Sequence, residues 1–224
     1  MLTTRLFTDR IGGVSKGRYE SFNLATHVGD DLEDVTHNRS ILEGMTAPLM
    51  FMNQVHGATV VVVEESVKHV LTADAMVTQE PGLALCVLVA DCIPVLLWDD
   101  EASCVAVAHV GRKGLINGIS GKTIAVMHEL GASRIFAQFG PSICGKCYEV
   151  GEDVFEEVVT TYPQARGSRS KFDFTLDLPA ALEFELVREG VEVYKSSVCT
   201  FESGSHFSYR RDGVTGRTAG VIWL

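Results

Sequence analysis

The sequence has no apolar stretch of the roughly 18 to 20 residues that a bilayer-spanning helix needs. Its long apolar segment, Leu83 to Trp98, is interrupted by Asp91 and Pro94. Met1 to Gly13 carries Arg5, Asp9 and Arg10 and lacks the apolar centre of a secretory signal. These absences lead us to expect a cytoplasmic protein with no membrane partner. No run of basic residues exceeds two, and the net charge is −10. A broad grip on nucleic acid requires Lys and Arg to neutralise many phosphates, so nucleic acid is not an expected partner. Net charge says little about one pocket, and a few local cations suffice for a small anion. Also missing are the glycine-rich dinucleotide and P-loop fingerprints, any internal repeat and any low-complexity segment.

What is present fits a globular chain with a large core: 224 residues, 46% hydrophobic and 21% charged, with no linker. We expect one domain over residues 1–224. Six cysteines make an even number, but a chain this large and apolar does not need a disulfide framework. Cys86 and Cys104, inside LALCVLVA and SCVAVAHV, read as small buried hydrophobes. Structural zinc held by four thiolates would use two C-x-x-C pairs. Only one such pair, Cys144 and Cys147 in CGKC, is present.

The hydrophobic pattern predicts strands over Leu2 to Thr8, LMFMNQV, ATVVVVE, GLALCVLVA, RIFAQFG and VEVYKSSV. The second and third of these, separated by His56 and Gly57, are expected to be neighbouring strands or one bent strand. GLALCVLVA is apolar throughout, as a strand buried on both faces is. VLLW and SCVAVAHV flank the polar turn DDEA as a hairpin, and Asp91 to Pro94 reads as an irregular corner before it. Helices are expected over Asp34 to Gly44, TIAVMHEL, EVGEDVFEEVVTTY and DLPAALEFELVREG, the last with Asp177 as N-cap. GRKGLINGISG reads as loop punctuation. The polar loop Gly12 to Asp31 is unusually long unless it lines a site. Strands come in runs rather than in alternation with helices, which predicts an α+β fold with mixed sheets over a doubly wound parallel one.

Chemistry concentrates at three loop–strand junctions: His56 in NQVHG, Cys92 in VADCIP and His109 in VAVAHVG. Two imidazoles and a thiolate suit a zinc ion that keeps one coordination position open. Such an ion lowers the pKa of a water in that position, or positions and polarises a phosphate. The hairpin puts Cys92 and His109 at the same end, because one precedes the first arm and the other closes the second. Asp91 is a candidate acceptor for an imidazole N–H, or a general base. Arg112, Lys113, Arg210 and Arg211 are candidates for holding phosphate oxygens. Glu149 is a possible proton donor or a cap for the following helix. The same residues also allow a reading without metal, with Cys92 as a nucleophile activated by His109.

NQVHG, VADCIPVLLW, AHVGRKGLINGI, FGPSICGKCYEVG and SHFSYRRDGVTGR, with TDRIGGVSKGRYESFNLATHVGDD at the start, span essentially the whole chain. With these motifs in this order the chain resembles the family variously called YfiH-like, polyphenol oxidase laccase-domain or peptidoglycan-editing factor proteins. The resemblance implies a layered α/β fold and zinc on His56, Cys92 and His109. It also implies phosphorolysis of adenosine, inosine and S-methyl-5′-thioadenosine, with adenosine deamination as a second activity. Within that reading Cys92, His109, His56 and Asp91 carry catalysis, and Asn23, Arg112, Lys113 and Arg211 contact substrate. Many relatives have Trp then Arg where this chain has Arg112 and Lys113, which bears on substrate preference rather than on the metal. A copper laccase label also attaches to the family, but the His-rich motifs of a multicopper site are missing here. The alternatives are a Cys–His amidase that trims peptidoglycan, and a non-catalytic partner in cell-wall synthesis that uses Gly12 to Asp31 as its contact surface.

Overall fold

The structure is a computed structural model that describes residues 3–65, 70–101, 103–168 and 172–224. Among these residues the strands, in chain order, are β1 (Thr4–Phe7), β2 (Leu49–Asn53), β3 (Val60–Val62), β4 (Leu71–Thr72), β5 (Ala75–Thr78), β6 (Ala84–Val89), β7 (Ile93–Asp99), β8 (Val105–Val110), β9 (Ile135–Phe139), β10 (Glu192–Lys195) and β11 (Thr218–Trp223). The helices are α1 (Leu32–Glu43), α2 (Arg112–Ile116), α3 (Ile119–Glu129), α4 (Glu152–Thr161), α5 (Leu178–Arg188) and α6 (Tyr209–Asp212). The strands form two mixed sheets, one ordered β1-β11-β6-β2-β4 and the other β10-β9-β7-β8-β5-β3. The fold is mixed α/β, with helices flanking both sheets.

Side-chain alternation explains why the central strands β6 and β8 are apolar on nearly every residue. Along β8, Val105 and Val107 enter a core shared with Met50, Leu85, Val87 and Ile222 of the other sheet. Ala106, Ala108 and Val110 face instead a second core built with α3, α4 and α5. Strand β6 divides in the same way: Leu85 and Val87 face the partner sheet, while Ala84, Cys86 and Leu88 pack under α1 and the segment Phe22 to Ala25. Two faces, each against an apolar layer, confine polar residues to the strand ends, where His109 of β8 and Asp99 of β7 lie. Cys86 and Cys104 are fully buried in these cores. Burial pushes both thiols up, Cys104 to about 11.

Several expectations shift. LMFMNQV and ATVVVVE are not neighbours: β2 pairs with β6 and β4, β3 pairs with β5, and the chain crosses between the sheets at His56. Pro94 lies within β7 opposite His109, not in a corner before the strand. It falls just past the end of the β7–β9 ladder, whose last pair is Val95 with Phe139, where its carbonyl still accepts from Gly140 N and the missing N–H breaks no pair within the strands. GRKGLINGISG is helical over most of its length, as α2 and the first turn of α3. Helix α1 begins at Leu32, capped by Asp31, whose side chain accepts from Glu33 N and Asp34 N. The tail closes as β11, a buried strand between β1 and β6. Leu2 of the first expected strand and Ala102 of the hairpin turn lie outside the described residues.

Candidate metal centre and cavity

The β7–β8 hairpin pairs Ile93 with Val110 and Pro94 with His109, so Cys92 and His109 meet at its open end. His56 arrives from the sheet crossing, with φ 58°. The three ligand atoms lie within 4.8 Å of one another, and Cys92 Sγ is 3.9 Å from His56 Nε2. The two imidazoles meet edge to face, with ring centres 4.6 Å apart. A Cβ on Gly111 would come within 2.9 Å of Cys92 Sγ and 3.3 Å of His56 Cδ2. Only a residue without a side chain leaves the cluster its space.

Asp74, between β4 and β5, organises the ligands. Fully buried, its carboxylate accepts from the N–H groups of His56 (2.9 Å), Gly57 (2.7 Å) and Val55 (3.3 Å). It also accepts from His109 Nδ1 at 2.9 Å, which leaves Nε2 to face the cluster. Burial works against the Asp74 carboxylate, but the bonds from His109 and Gly57 hold its pKa below the usual range. Burial likewise opposes the charged forms of Cys92 and His109, yet each stabilises the other's charge. The thiol comes down to about 6 beside the His109 imidazolium, and the imidazole rises to about 9 beside the thiolate and Asp74.

The cluster opens into a cavity of about 370 Å³. Around it stand the guanidinium groups of Arg112, Arg210 and Arg217, the rings of Tyr148 and Tyr209, and His27 from the long amino-terminal loop. Arg210 lies over the Tyr148 ring at 5.1 Å and donates to the Glu149 carbonyl at 2.6 Å. Arg217 lies over Tyr209 at 6.0 Å. Arg112 is anchored on Glu157 at 2.7 Å. Burial pulls the pKa of Arg217 down, a desolvation that an anion in the cavity would offset. Burial also lowers His27, reinforced by Arg217 and Arg39, so its imidazole is neutral near pH 7.

Thus His56, Cys92, His109, Arg112 and Arg210 come together around one cavity, while five other candidates stand differently from what their sequence positions suggest. Asp91 lines the cavity, with φ 95°, but its carboxylate faces the carboxy-terminal segment. There it accepts from Thr200 Oγ1, Ser208 Oγ and Arg210 N, each at 2.7 Å, so the imidazole acceptor is Asp74 instead. Asn23 is fully buried: its amide group bonds Ala25 O, Asp30, Ala25 N and Arg217 N, fixing a turn. Lys113 is exposed on α2 and outside the cavity lining. Arg211 is engaged by the carbonyls of Thr200, Ser203 and His206 and by Asp212. Glu149 does not cap α4, whose N-cap is Gly151. Asp74, Tyr209 and Arg217 had only faint signals: a lone acid in the apolar stretch TADAMV, and a tyrosine and a last arginine in SHFSYRRDGVTGR; nothing in the stretches around His27 and Tyr148 set those two apart.

The multi-copper polyphenol oxidoreductase laccase family model matches residues 4–224. The chain is 48% identical to a purine nucleoside phosphorylase of Streptomyces coelicolor, over 97% of this chain and 94% of that one. Among solved structures it resembles a Neisseria meningitidis protein of the DUF152 family model, at 41% identity and TM-score 0.91, covering 99% of this chain and 94% of that one. It also resembles the Bacillus licheniformis hypothetical protein YfiH, at 29% identity and TM-score 0.90, over 99% and 92% of the two chains.

Proposed function

From the premise that this chain belongs to the multi-copper polyphenol oxidoreductase laccase family, the group that includes YfiH and DUF152 proteins, we propose that it is a zinc-dependent purine nucleoside phosphorylase. It acts as a single domain over residues 1–224, in the cytoplasm. Its substrates are adenosine, inosine, S-methyl-5′-thioadenosine and phosphate, and adenosine deamination is a second activity of the same cavity. The observation that carries the proposal is the meeting of a sulfur–nitrogen–nitrogen donor set with three guanidinium groups and two aromatic rings around one cavity.

The donor set suits zinc. One thiolate and two imidazoles match a three-ligand site with an open position, Asp74 fixes the tautomer of one imidazole, and Gly111 keeps the space clear. When bound, the ion supplies a fixed positive charge and Lewis acidity at the cavity floor. Copper is the less suitable occupant for laccase chemistry, since the whole sequence has seven histidines and this cluster takes two of them.

Arg112, Arg210 and Arg217 hold the phosphate by charge-assisted hydrogen bonds and direct one oxygen at the ribose C1′. Tyr148 and Tyr209 give the purine faces to stack on. Neutral His27 offers one donor and one acceptor to the edge of the base. As the phosphate oxygen bonds to C1′, the C1′–N9 bond breaks and its electrons leave with the purine, which takes up the proton that hydrogen phosphate gives up, yielding neutral free base and sugar 1-phosphate.

The test is to incubate the protein with adenosine, with and without phosphate, and to resolve adenine, inosine and hypoxanthine. Phosphate-dependent adenine is the expected product, and Cys92→Ala abolishes both activities. Phosphorolysis that survives in metal-free Cys92→Ala would refute the zinc role.

One observation favours a second reading. Cys92, His109 and Asp74 form a nucleophile, base and orienting carboxylate in sequence, with the thiol down at about 6, as a cysteine hydrolase of the amidase type requires. Stoichiometric zinc that protects Cys92 from alkylation supports the first reading. A metal-free protein that acylates Cys92 supports the second.

A further inference from the structure

A second cluster of donors lies behind the cavity wall. Cys144, Cys147, Cys199 and Glu202 bring three sulfurs and a carboxylate oxygen within 4.8 Å of one another. The CGKC turn is tight: Cys147 N and Tyr148 N both donate to the Cys144 carbonyl, at 3.0 and 3.1 Å, so both thiols face one side. The third thiol comes from a segment more than fifty residues away. Cys199 is joined by a bridge to Ser142, and its Sγ accepts from Cys144 N at 3.4 Å. All the cysteines are free thiols.

Buried thiols alone would read as apolar packing, as Cys86 and Cys104 do. Here Cys144 is only half-buried and the Glu202 carboxylate, exposed at the rim of the cluster, comes within 4.8 Å of all three sulfurs, an arrangement that apolar packing alone does not supply. A borderline-soft dication does, because thiolates with one carboxylate make a closed four-ligand shell. Zinc–sulfur bonds of about 2.3 Å put tetrahedral sulfurs about 3.8 Å apart, so donors already this close need only small side-chain rotations. Arg211 also finds a purpose here, since its guanidinium grips the carbonyls of Thr200, Phe201 and Ser203, the loop that presents Cys199 and Glu202.

We propose that Cys144, Cys147, Cys199 and Glu202 form a second, structural zinc site with no open position. It staples the turn leading into Tyr148 to the segment leading into Tyr209 and Arg210, and so holds one wall of the cavity. The proposal does not depend on the nucleoside reading.

The experiment titrates metal-stripped protein with Zn²⁺ alone and reads native mass and cysteine alkylation together. The wild type is expected to bind two zinc ions per chain. Cys92→Ala is expected to bind one, with Cys144, Cys147 and Cys199 still protected as a set. Cys199→Ser loses the second ion and keeps Cys92 protected. Because that variant removes a buried group, Glu202→Gln serves as the milder control, expected to raise the zinc concentration needed to protect the three thiols by about tenfold. One ion in the wild type and none in Cys92→Ala would overturn the site. Zinc-independent alkylation of the three thiols, or a disulfide among them in freshly purified protein, would overturn it equally.

Discussion

Asp74 and Asp91 are both buried carboxylates close to the three-ligand cluster, and they face in opposite directions. Asp74 looks inward to the cluster, holding the His109 ring and the backbone N–H groups of Val55, His56 and Gly57. Asp91, adjacent in sequence to Cys92, turns away and ties Thr200, Ser208 and the Arg210 backbone to the site. One carboxylate orders the three-ligand cluster and the other ties down the wall of the cavity that carries Tyr209 and Arg210. Proximity in sequence to a ligand therefore does not identify the residue that orients it.

Asp74→Asn should break the comparison most sharply. An amide can replace one carboxylate oxygen but not both, so either His109 with His56, or Gly57 with Val55, faces a donor instead of an acceptor. Zinc affinity is expected to fall about 10- to 100-fold, as when other orienting partners are lost. Isothermal titration with Zn²⁺ reads this directly. Unchanged affinity would remove Asp74 from the metal centre.

The next effect is on pH. The raised His109 pKa contributes stability that is complete below its usual 6.5 and lost as pH rises through about 9. The lowered Cys92 pKa contributes stability present above its usual 9.0 and lost as pH falls through about 6. Between 6.5 and 9 the two slopes cancel, because the metal-free pair holds one proton in the folded state, on His109, and one in the unfolded state, on Cys92. Thermal stability of metal-free protein should therefore be flat across that window. Zinc requires neutral His109, so its affinity should rise about tenfold per pH unit and level off near 9. A zinc affinity that does not change with pH would mean that His109 carries no proton to release.

Much of the fold was legible because both-face burial leaves a strong signal: β6 and the β7–β8 hairpin read directly as apolar runs with a polar turn. The crossing at His56 was not, since two apolar strands split by His-Gly look the same whether they join one sheet or two. Strand β11 was obscured by the Gly- and Arg-rich stretch before it. Within the site, the meeting of Cys92 and His109 could be read because one hairpin carries both at its open end. Asp74 and Arg217 could not, because their partners are backbone groups and side chains that only tertiary folding brings near. Arg211 misled for a related reason: in sequence Arg210 and Arg211 are equivalent, while α6 turns one toward the cavity and the other into carbonyl oxygens.

The smallest expected effect belongs to Asp91→Asn, and it separates the two carboxylates. The amide oxygen can still accept from Thr200 and Ser208, but the amide nitrogen would then oppose the Arg210 N–H, leaving one buried donor unsatisfied. That costs about 1–3 kcal/mol of stability, visible as a lower Tm. Arg210 shifts with its backbone, so KM for phosphate rises, while zinc affinity stays at the wild-type value because no metal ligand has lost a partner. If Asp91 were the general base, kcat would fall steeply at unchanged KM. A weaker zinc site in this variant would mean that the two carboxylates share one task after all.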